Sequence, residues 1–304
     1  MIVGLLSGSG ARLAGDDLPD ARRRAAASGS LTNSKVPGVK QQELLGKVAV
    51  VTGGAGDIGR ATAQRLVHEG ARVVIADVDA ERGNEAAAQL GDSVAFKQTD
   101  VSDVGQVQGL VDFAVERFGG LDIMFNNAGI GSPLKRFLYD DLDDFARIIN
   151  VNLFGAIVGT QRAARYMKDH GGGSIINNAS IAAVNAGAGM ISYRTSKAAL
   201  AHATKCMAID LAPYNIRVNC LTPAHIRTGI TTYEMEPVVR YMQPLQRQAQ
   251  PEDVASAVVF LASDGAAQIT GIILPIDGGT TAGPPIAQTR LIMSAATTPE
   301  EPKG

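Results

Sequence analysis

The sequence predicts a single-domain α/β protein: a doubly wound parallel sheet of about seven strands with helices on both faces. Three observations predict it. From Leu44 to Gly279, short apolar or β-branched runs alternate with segments of helical length. The runs are mostly apolar rather than alternating, as in strands covered on both faces. A glycine-rich turn joins the first run to the first helical segment, and together these mark βαβ units feeding one parallel sheet.

Strands are expected at Val48–Val51, Val73–Ala76, Val94–Phe96, Ile123–Phe125, Ser174–Asn177, Ile216–Cys220 and Ile272–Ile276. Helices are expected at about 57–69, 81–90, 103–117, 142–169, 193–211 and 252–262. Residues 1–43, rich in Gly, Ala, Ser and Arg, read as a flexible N-terminal extension, 44–280 as the folded domain and 281–304 as a C-terminal tail. Pro284–Pro285 is expected to stop regular structure in that tail.

Composition narrows the function. The chain has 304 residues, 45% of them hydrophobic, enough for one large α/β domain. A formal net charge of −2 gives no electrostatic reason to expect nucleic acid or an anionic membrane as partner. No apolar run approaches the roughly 20 residues of a membrane-spanning helix. Met1–Leu6 is too short for a signal-peptide core, and Asp16, Asp17 and Asp20 argue against a transit peptide despite Arg22–Arg24. Cys206 and Cys220 make neither a disulfide framework nor a metal cluster, so a cytoplasmic protein without a metal site is expected.

The first strand leads into Thr52-Gly53-Gly54-Ala55-Gly56-Asp57-Ile58-Gly59 and then a helix. Glycines let the backbone turn sharply and let a pyrophosphate approach, while the helix N-terminus offers N–H groups and partial positive charge. Gly53, Gly54, Gly56, Asp57, Ile58 and Gly59 are therefore candidate cofactor residues of a Rossmann-type domain. The second strand ends at Asp77, followed by Val78. A carboxylate there can accept from the adenosine ribose hydroxyls and would repel a 2′-phosphate. No Lys or Arg stands at 54–56 or 78 to receive that phosphate, so NAD(H) is expected over NADP(H). Asp100-Val101 ends the third strand in the same way and could flank the adenine; a turn carboxylate is the alternative.

Tyr193-Arg194-Thr195-Ser196-Lys197 carries the chemistry. Positions i and i+4 share a helix face, so Tyr193 and Lys197 can converge. A phenol with a pKa near 10 is a poor proton carrier at neutral pH, and a nearby ammonium with a positive nicotinamide would favour its phenolate. Tyr193 is then the acid/base, with Lys197 tuning it and holding the nicotinamide ribose hydroxyls. Ser180, thirteen residues earlier, could hold the substrate oxygen against the phenol. Asn126-Asn127-Ala128-Gly129 closes the fourth strand, where amides can brace neighbouring strands. Asn152, inside an apolar helix, needs a partner, for which a water leading to Lys197 is the expectation.

With TGGAGDIG, Asp77, NNAG at 126–129, Asn152, Ser180, YRTSK at 193–197, RVNCLTPAHIRT at 217–228 and ITGIILPIDGG at 269–279 in one order, the chain closely resembles the classical short-chain dehydrogenase/reductase family. The resemblance implies an Asn152–Ser180–Tyr193–Lys197 tetrad, transfer of the nicotinamide 4-pro-S hydride and a homotetramer. It adds Asn127, Ala128, Gly129, Pro223, Ile226 and Thr228 to the cofactor set, the Ile226 backbone and Thr228 hydroxyl positioning the carboxamide.

Two residues depart from the family pattern. Asp57 replaces the usual glycine, so the loop reads GxGxxG. A cap on the helix N-terminus, turned away from phosphate, is its expected role, and Asp57→Gly should then leave NADH binding intact or tighten it. Ala224 replaces the usual glycine after Pro223. His225 is expected to be a solvated loop imidazole. The stretch after Thr228, with Ile230, Tyr233, Met235, Val238, Val239, Tyr241 and Met242, reads as an apolar lid over a small-molecule alcohol or ketone, and Arg240 and Arg247 as surface charges. A 3-oxoacyl-thioester reductase is the alternative enzyme, and an NAD-binding regulator without turnover the alternative outside enzymes.

Overall fold

The computed structural model describes residues 42–228 and 234–297. The extension expected over 1–43 falls outside the described residues except for its last two. Ile230 and Tyr233 of the expected lid fall outside them as well.

Seven strands form the sheet: β1 Val48–Thr52, β2 Arg72–Asp77, β3 Val94–Gln98, β4 Ile123–Asn126, β5 Gly173–Asn178, β6 Ile216–Pro223 and β7 Ile273–Ile276. Their order is β3-β2-β1-β4-β5-β6-β7, and every pairing is parallel. The order reverses between β1 and β4, so the connections leaving those two strands diverge to opposite faces. A crevice opens there, beyond the strand C-termini, and ligands of such sheets bind in it.

Each face of the sheet is covered by helices. Helices α1 (Asp57–His68), α2 (Ala80–Leu90) and α8 (Pro251–Ala262) cover one face, where Leu66, Ala86, Val254 and Val258 pack on Val51, Ile75 and Phe125. The opposite face carries α3 (Val104–Phe118), α5 (Gly155–Met167) and α6 (Ile191–Leu211). There Leu110, Ala163, Met167 and Ala208 pack on Val50, Val74 and Met124. Neighbouring residues such as Val50 and Val51 thus face opposite layers, which is why the strands read as unbroken apolar runs. Each fully buried Ile, Leu or Phe contributes about 1.5–3 kcal/mol.

Three elements differ from the sequence expectation. The helix expected over 142–169 starts at Phe145 as α4 (Phe145–Ile149) and reaches α5 only through a π turn, Asn150–Phe154. The lid stretch contains a short helix α7, Glu236–Met242, anchored by buried Val239. The tail carries α9, Ile286–Thr297, directly after Pro285. Prolines there begin a helix rather than end one: Pro285 O accepts from Gln288 N and Thr289 N, and a proline ring is pre-set for a first helical turn. Among the described residues no helix is long and apolar enough to cross a membrane, and no His/Cys/Asp/Glu group could hold a metal.

Candidate active site

The cofactor cradle is assembled at the end of β1. The Thr52 hydroxyl accepts from Asn127 N at 2.9 Å and Ala128 N at 3.1 Å. The Asn127 side-chain amide donates back to Thr52 O and Gly53 O at 2.9 and 3.2 Å. Gly53 turns the chain with φ of 63°, and a Cβ on Gly59 would stand 2.1 Å from Gly53 O. Only a glycine lets α1 approach the loop this closely. Gly54 N is held by Ala76 O of β2, and half-buried Ile58 packs on the core beneath α1. Gly56 takes the N-cap position of α1 with no side-chain cap, so the first-turn N–H groups face a concavity that suits a diphosphate.

Asp57 departs from its expected role. It is the first residue of α1, while Gly56 is the cap; a carboxylate in the first turn still complements the helix dipole. With Arg60, Gln64, Arg227, Thr228 and Gln250 it lines a cavity of about 420 Å³.

On the adenosine side, Asp77 Oδ2 accepts from Ala55 N at 3.1 Å and its Oδ1 from Asp79 N at 3.2 Å. Val78 beside it is exposed. Arg82, which sequence reasoning missed, donates from its guanidinium to Ala55 O at 3.2 Å. It sits on the first turn of α2, beyond the positions at which a phosphate-binding cation was sought. Asp100 Oδ1 is engaged by Ser102 N at 2.9 Å and Ser102 Oγ at 2.7 Å, the turn role left open above. Val101 is buried with Val107, Val158 and Ala128.

The four candidate tetrad residues approach from three elements. Tyr193 and Lys197 lie on α6, whose start is tied to the preceding loop by Arg194, donating to Gly189 O and Asn185 O at 3.1 Å each. Ser180 follows β5; its Oγ accepts from Ala182 N at 3.1 Å, fixing the turn, and its hydroxyl interacts with the Tyr193 phenol. Asn152 stands in the π turn, fully buried. Its Oδ1 accepts from Ile130 N at 2.8 Å, and its Nδ2 donates to Ile130 O at 2.9 Å and Ser196 Oγ at 3.1 Å. The buried amide thus finds the partner it needs in the Ile130 backbone, across from the π turn that carries it. A Cβ on Gly129 would stand 3.2 Å from Lys197 Nζ and 3.3 Å from Asn152 Oδ1, so these groups share one small space.

Lys197 Nζ donates to Asn178 O at 2.8 Å and lies 5.8 Å from the centroid of the Tyr193 ring. Burial brings the lysine down to about 8, with the Cys220 thiol opposing. Burial also pushes the Tyr193 phenol above its ordinary range, against the lowering effects of the Ser180 hydroxyl and the Arg194 guanidinium. The ammonium and a positive nicotinamide together, as expected above, would act against this desolvation when the dinucleotide is bound.

Pro223 is buried at the end of β6. Ile226 bridges Ala249, and Arg227 N donates to Ala249 O at 2.8 Å, which pins the segment running to Thr228. His225 is not the solvated imidazole expected. Its backbone is left-handed, with φ of 53°, its Nε2 is buried without a partner, and burial lowers its pKa against nearby Asp277.

Asn178 was missed as well. Its Nδ2 donates to Asn127 Oδ1 at 2.8 Å while its carbonyl holds Lys197. The available signal was a second amide after Asn177, directly following Ile175 and Ile176.

Known proteins resemble this chain in sequence and fold. The family model described as Enoyl-(Acyl carrier protein) reductase matches residues 53–281. Momilactone A synthase of Oryza sativa subsp. japonica is 42% identical over 249 residues, 78% of this chain and 91% of its own. The 3-alpha-(or 20-beta)-hydroxysteroid dehydrogenase of Mycobacterium bovis is 39% identical over 242 residues, 79% and 91% of the two chains. The 3-ketoacyl-(acyl-carrier-protein) reductase of Brucella melitensis, solved with NADH, superposes with a TM-score of 0.75 at 35% identity, covering 78% of this chain and 99% of that one. The chain belongs to the short-chain dehydrogenase/reductase family, as an oxidoreductase that acts on CH–OH groups with a nicotinamide cofactor.

Proposed function

We propose that the protein interconverts an apolar, cyclic secondary alcohol and its ketone with NAD(H), using Tyr193 as acid/base. The observation that carries this is the meeting of Ser180, Tyr193 and Lys197 beside the cradle, with Asp77 closing β2. When bound, the dinucleotide supplies hydride exchange at its nicotinamide. Ser180 Oγ holds the substrate oxygen, and Tyr193 Oη gives a proton to it during reduction or takes one during oxidation. Lys197, whose Nζ donates to Asn178 O and lies 5.8 Å from the Tyr193 ring centroid, would hold the ribose hydroxyls. Asn152 fixes the loop at Ile130 that walls the site. The Ile226 backbone and the Thr228 hydroxyl would hold the carboxamide, with Pro223 beside them. Burial of the pair keeps water from competing for the proton.

The preference for NAD(H) rests on Asp77, which leaves no room for a 2′-phosphate without a close negative charge. Arg82 is the group that would soften it. The apolar reading rests on Leu134, Phe137, Leu138 and Val184, exposed around the approach to α6, and on the hydroxysteroid named for the Mycobacterium relative. A 3-oxoacyl-thioester reductase is the second reading, favoured by the Brucella neighbour. The two cysteines and the family pattern support a cytoplasmic homotetramer.

The test is a screen of NAD+ and NADP+ reduction over aliphatic, terpenoid, steroid, polyol and hydroxyacyl-thioester alcohols. Turnover of steroid or terpenoid alcohols with NAD+ is expected. A strong NADP+ preference, with turnover confined to hydroxyacyl thioesters, would establish the second reading instead.

A further inference from the structure

Asn178 stands between two halves of the site that the proposed function treats separately. On one side, its side-chain amide reaches Asn127 at 2.8 Å, and Asn127 in turn grips the carbonyls of Thr52 and Gly53 at the mouth of the glycine loop. On the other, its own carbonyl receives the Lys197 ammonium at 2.8 Å. The orientation of both amides is forced: Asn127 Nδ2 faces two carbonyls, so its oxygen must accept, and Asn178 must present nitrogen to it. A continuous run of hydrogen bonds therefore joins the cofactor loop to the catalytic lysine across β1, β4 and β5.

Asn178 is also costly. It is 7% exposed, and its Oδ1 is buried with no partner, a state that costs about 1–3 kcal/mol. An apolar residue would fill the end of β5 without that penalty, as Ile175 and Ile176 do one turn of pleat earlier. The neighbouring buried amides do not share the fault: Asn126 and Asn177 bond each other and Thr160 and Thr204. What distinguishes Asn178 is its position on the path to Lys197.

We propose that Asn178 is a positioning residue that ties Lys197 to the glycine loop through Asn127, so that filling the adenosine-diphosphate end of the cradle is sensed at the lysine. This rests on the cofactor reading above. It acts on Lys197 through the backbone carbonyl and touches no reacting atom.

The test uses ADP, which occupies the cradle and ends before the ribose that Lys197 would hold. With 13C-labelled lysine, the Lys197 side-chain NMR signal is assigned by its loss in Lys197→Met and followed during titration with ADP. In the wild type the signal is expected to move as ADP saturates. In Asn178→Leu, ADP should bind within about threefold of the wild-type affinity by calorimetry, while the displacement falls to less than half. Asn178→Thr, which keeps a donor toward Asn127, should restore most of it and serves if the leucine variant does not fold. Asn127→Leu combined with Asn178→Leu should reduce the displacement no further than either alone. An unmoved signal in the wild type at full ADP occupancy, or an undiminished displacement in Asn178→Leu, overturns the proposal. Failure of ADP to bind the wild type at all would instead overturn the cradle reading.

Discussion

The cofactor cradle and the substrate rim solve the same backbone problem in opposite ways. Both need residues in the left-handed region. In the cradle the need is met by Gly53, at φ of 63°, where any side chain would press on Asn127 and Ala128. Around the rim it is met by Leu142, Met190 and His225, at φ of 60°, 56° and 53°. Far from both, at the N-terminal end of β6, Asn215 takes the same conformation, the ordinary choice when a side chain must be tolerated there. A leucine or methionine in this region costs about 1–2 kcal/mol. The cradle therefore keeps its backbone bare for a ligand common to many proteins. The other three positions, Leu142, Met190 and His225, accept strain in side-chain-bearing residues, and whether that strain serves the substrate is open to test.

The sharpest break of this contrast is chemical. Tyr193→Phe removes the proton carrier but keeps the ring beneath Lys197. Turnover of the best alcohol found should fall about 1,000-fold, within the range of acid/base contributions, while NADH affinity measured by calorimetry stays within about twofold of wild type. Equal loss of both would mean that the phenol belongs to the cradle rather than to the reacting side.

A steric break comes next. Gly59→Ala puts a methyl 2.1 Å from Gly53 O, and α1 can only relieve this by moving away from the loop. Overpacking of this kind costs about 1–3 kcal/mol. NADH affinity should drop at least tenfold, by the arithmetic of about 1.4 kcal/mol per decade, with a lower Tm as well. A variant that binds NADH normally would show that the cradle is not held by close helix packing.

The third effect lies where the two regions meet. Lys197 titrates near about 8 when folded, against about 10.4 in an unfolded chain. Below the folded value the protein must keep an ammonium in a site that favours the neutral amine. Between the two values the unfolded chain binds the extra proton, so stability from this group rises with pH and is lost again as the pH falls through about 8. Lys197→Met removes that dependence. Its Tm at pH 7 should exceed the wild type's by about 3 °C, and the gap should narrow toward pH 10. A lower Tm at pH 7 would mean that the hydrogen bond to Asn178 O outweighs the desolvation.

The same contrast explains how much the sequence revealed. All seven strands and the main helices were legible, because runs such as VAVV and IMF sit between two helical layers and must be apolar, and because glycines at 53, 56 and 59 can be explained by backbone alone. The candidate tetrad came from the spacing of Tyr193 and Lys197 and the order of motifs, and the fold brings these residues close together. What escaped were roles that depend on tertiary contact. Arg82 reaches Ala55 O only because α2 starts beside the loop. Asn178 matters only because β4 and β5 are neighbours. Asn152 meets Ile130 from a π turn that is invisible in composition. His225 was misjudged for a related reason: a loop residue is usually solvated, and nothing local told of the strand end at Asp277 packed against it.

The smallest effect tests whether rim strain serves function at all. Leu142 is 40% exposed, and its backbone already carries the turn: its N–H is held by Asp140 Oδ1 and its carbonyl accepts from Phe145 N. Asparagine fits that conformation with little strain and loses little packing, so Leu142→Asn should recover part of the roughly 1–2 kcal/mol of strain, read as a small rise in Tm. If the leucine is there for the substrate, KM for an apolar alcohol should rise severalfold while NADH affinity is unchanged. A stabilised variant with an unaltered KM would remove Leu142 from the rim's working set. The contrast with Gly53 would then rest on Met190 and His225, which flank the catalytic helix and the nicotinamide-side loop.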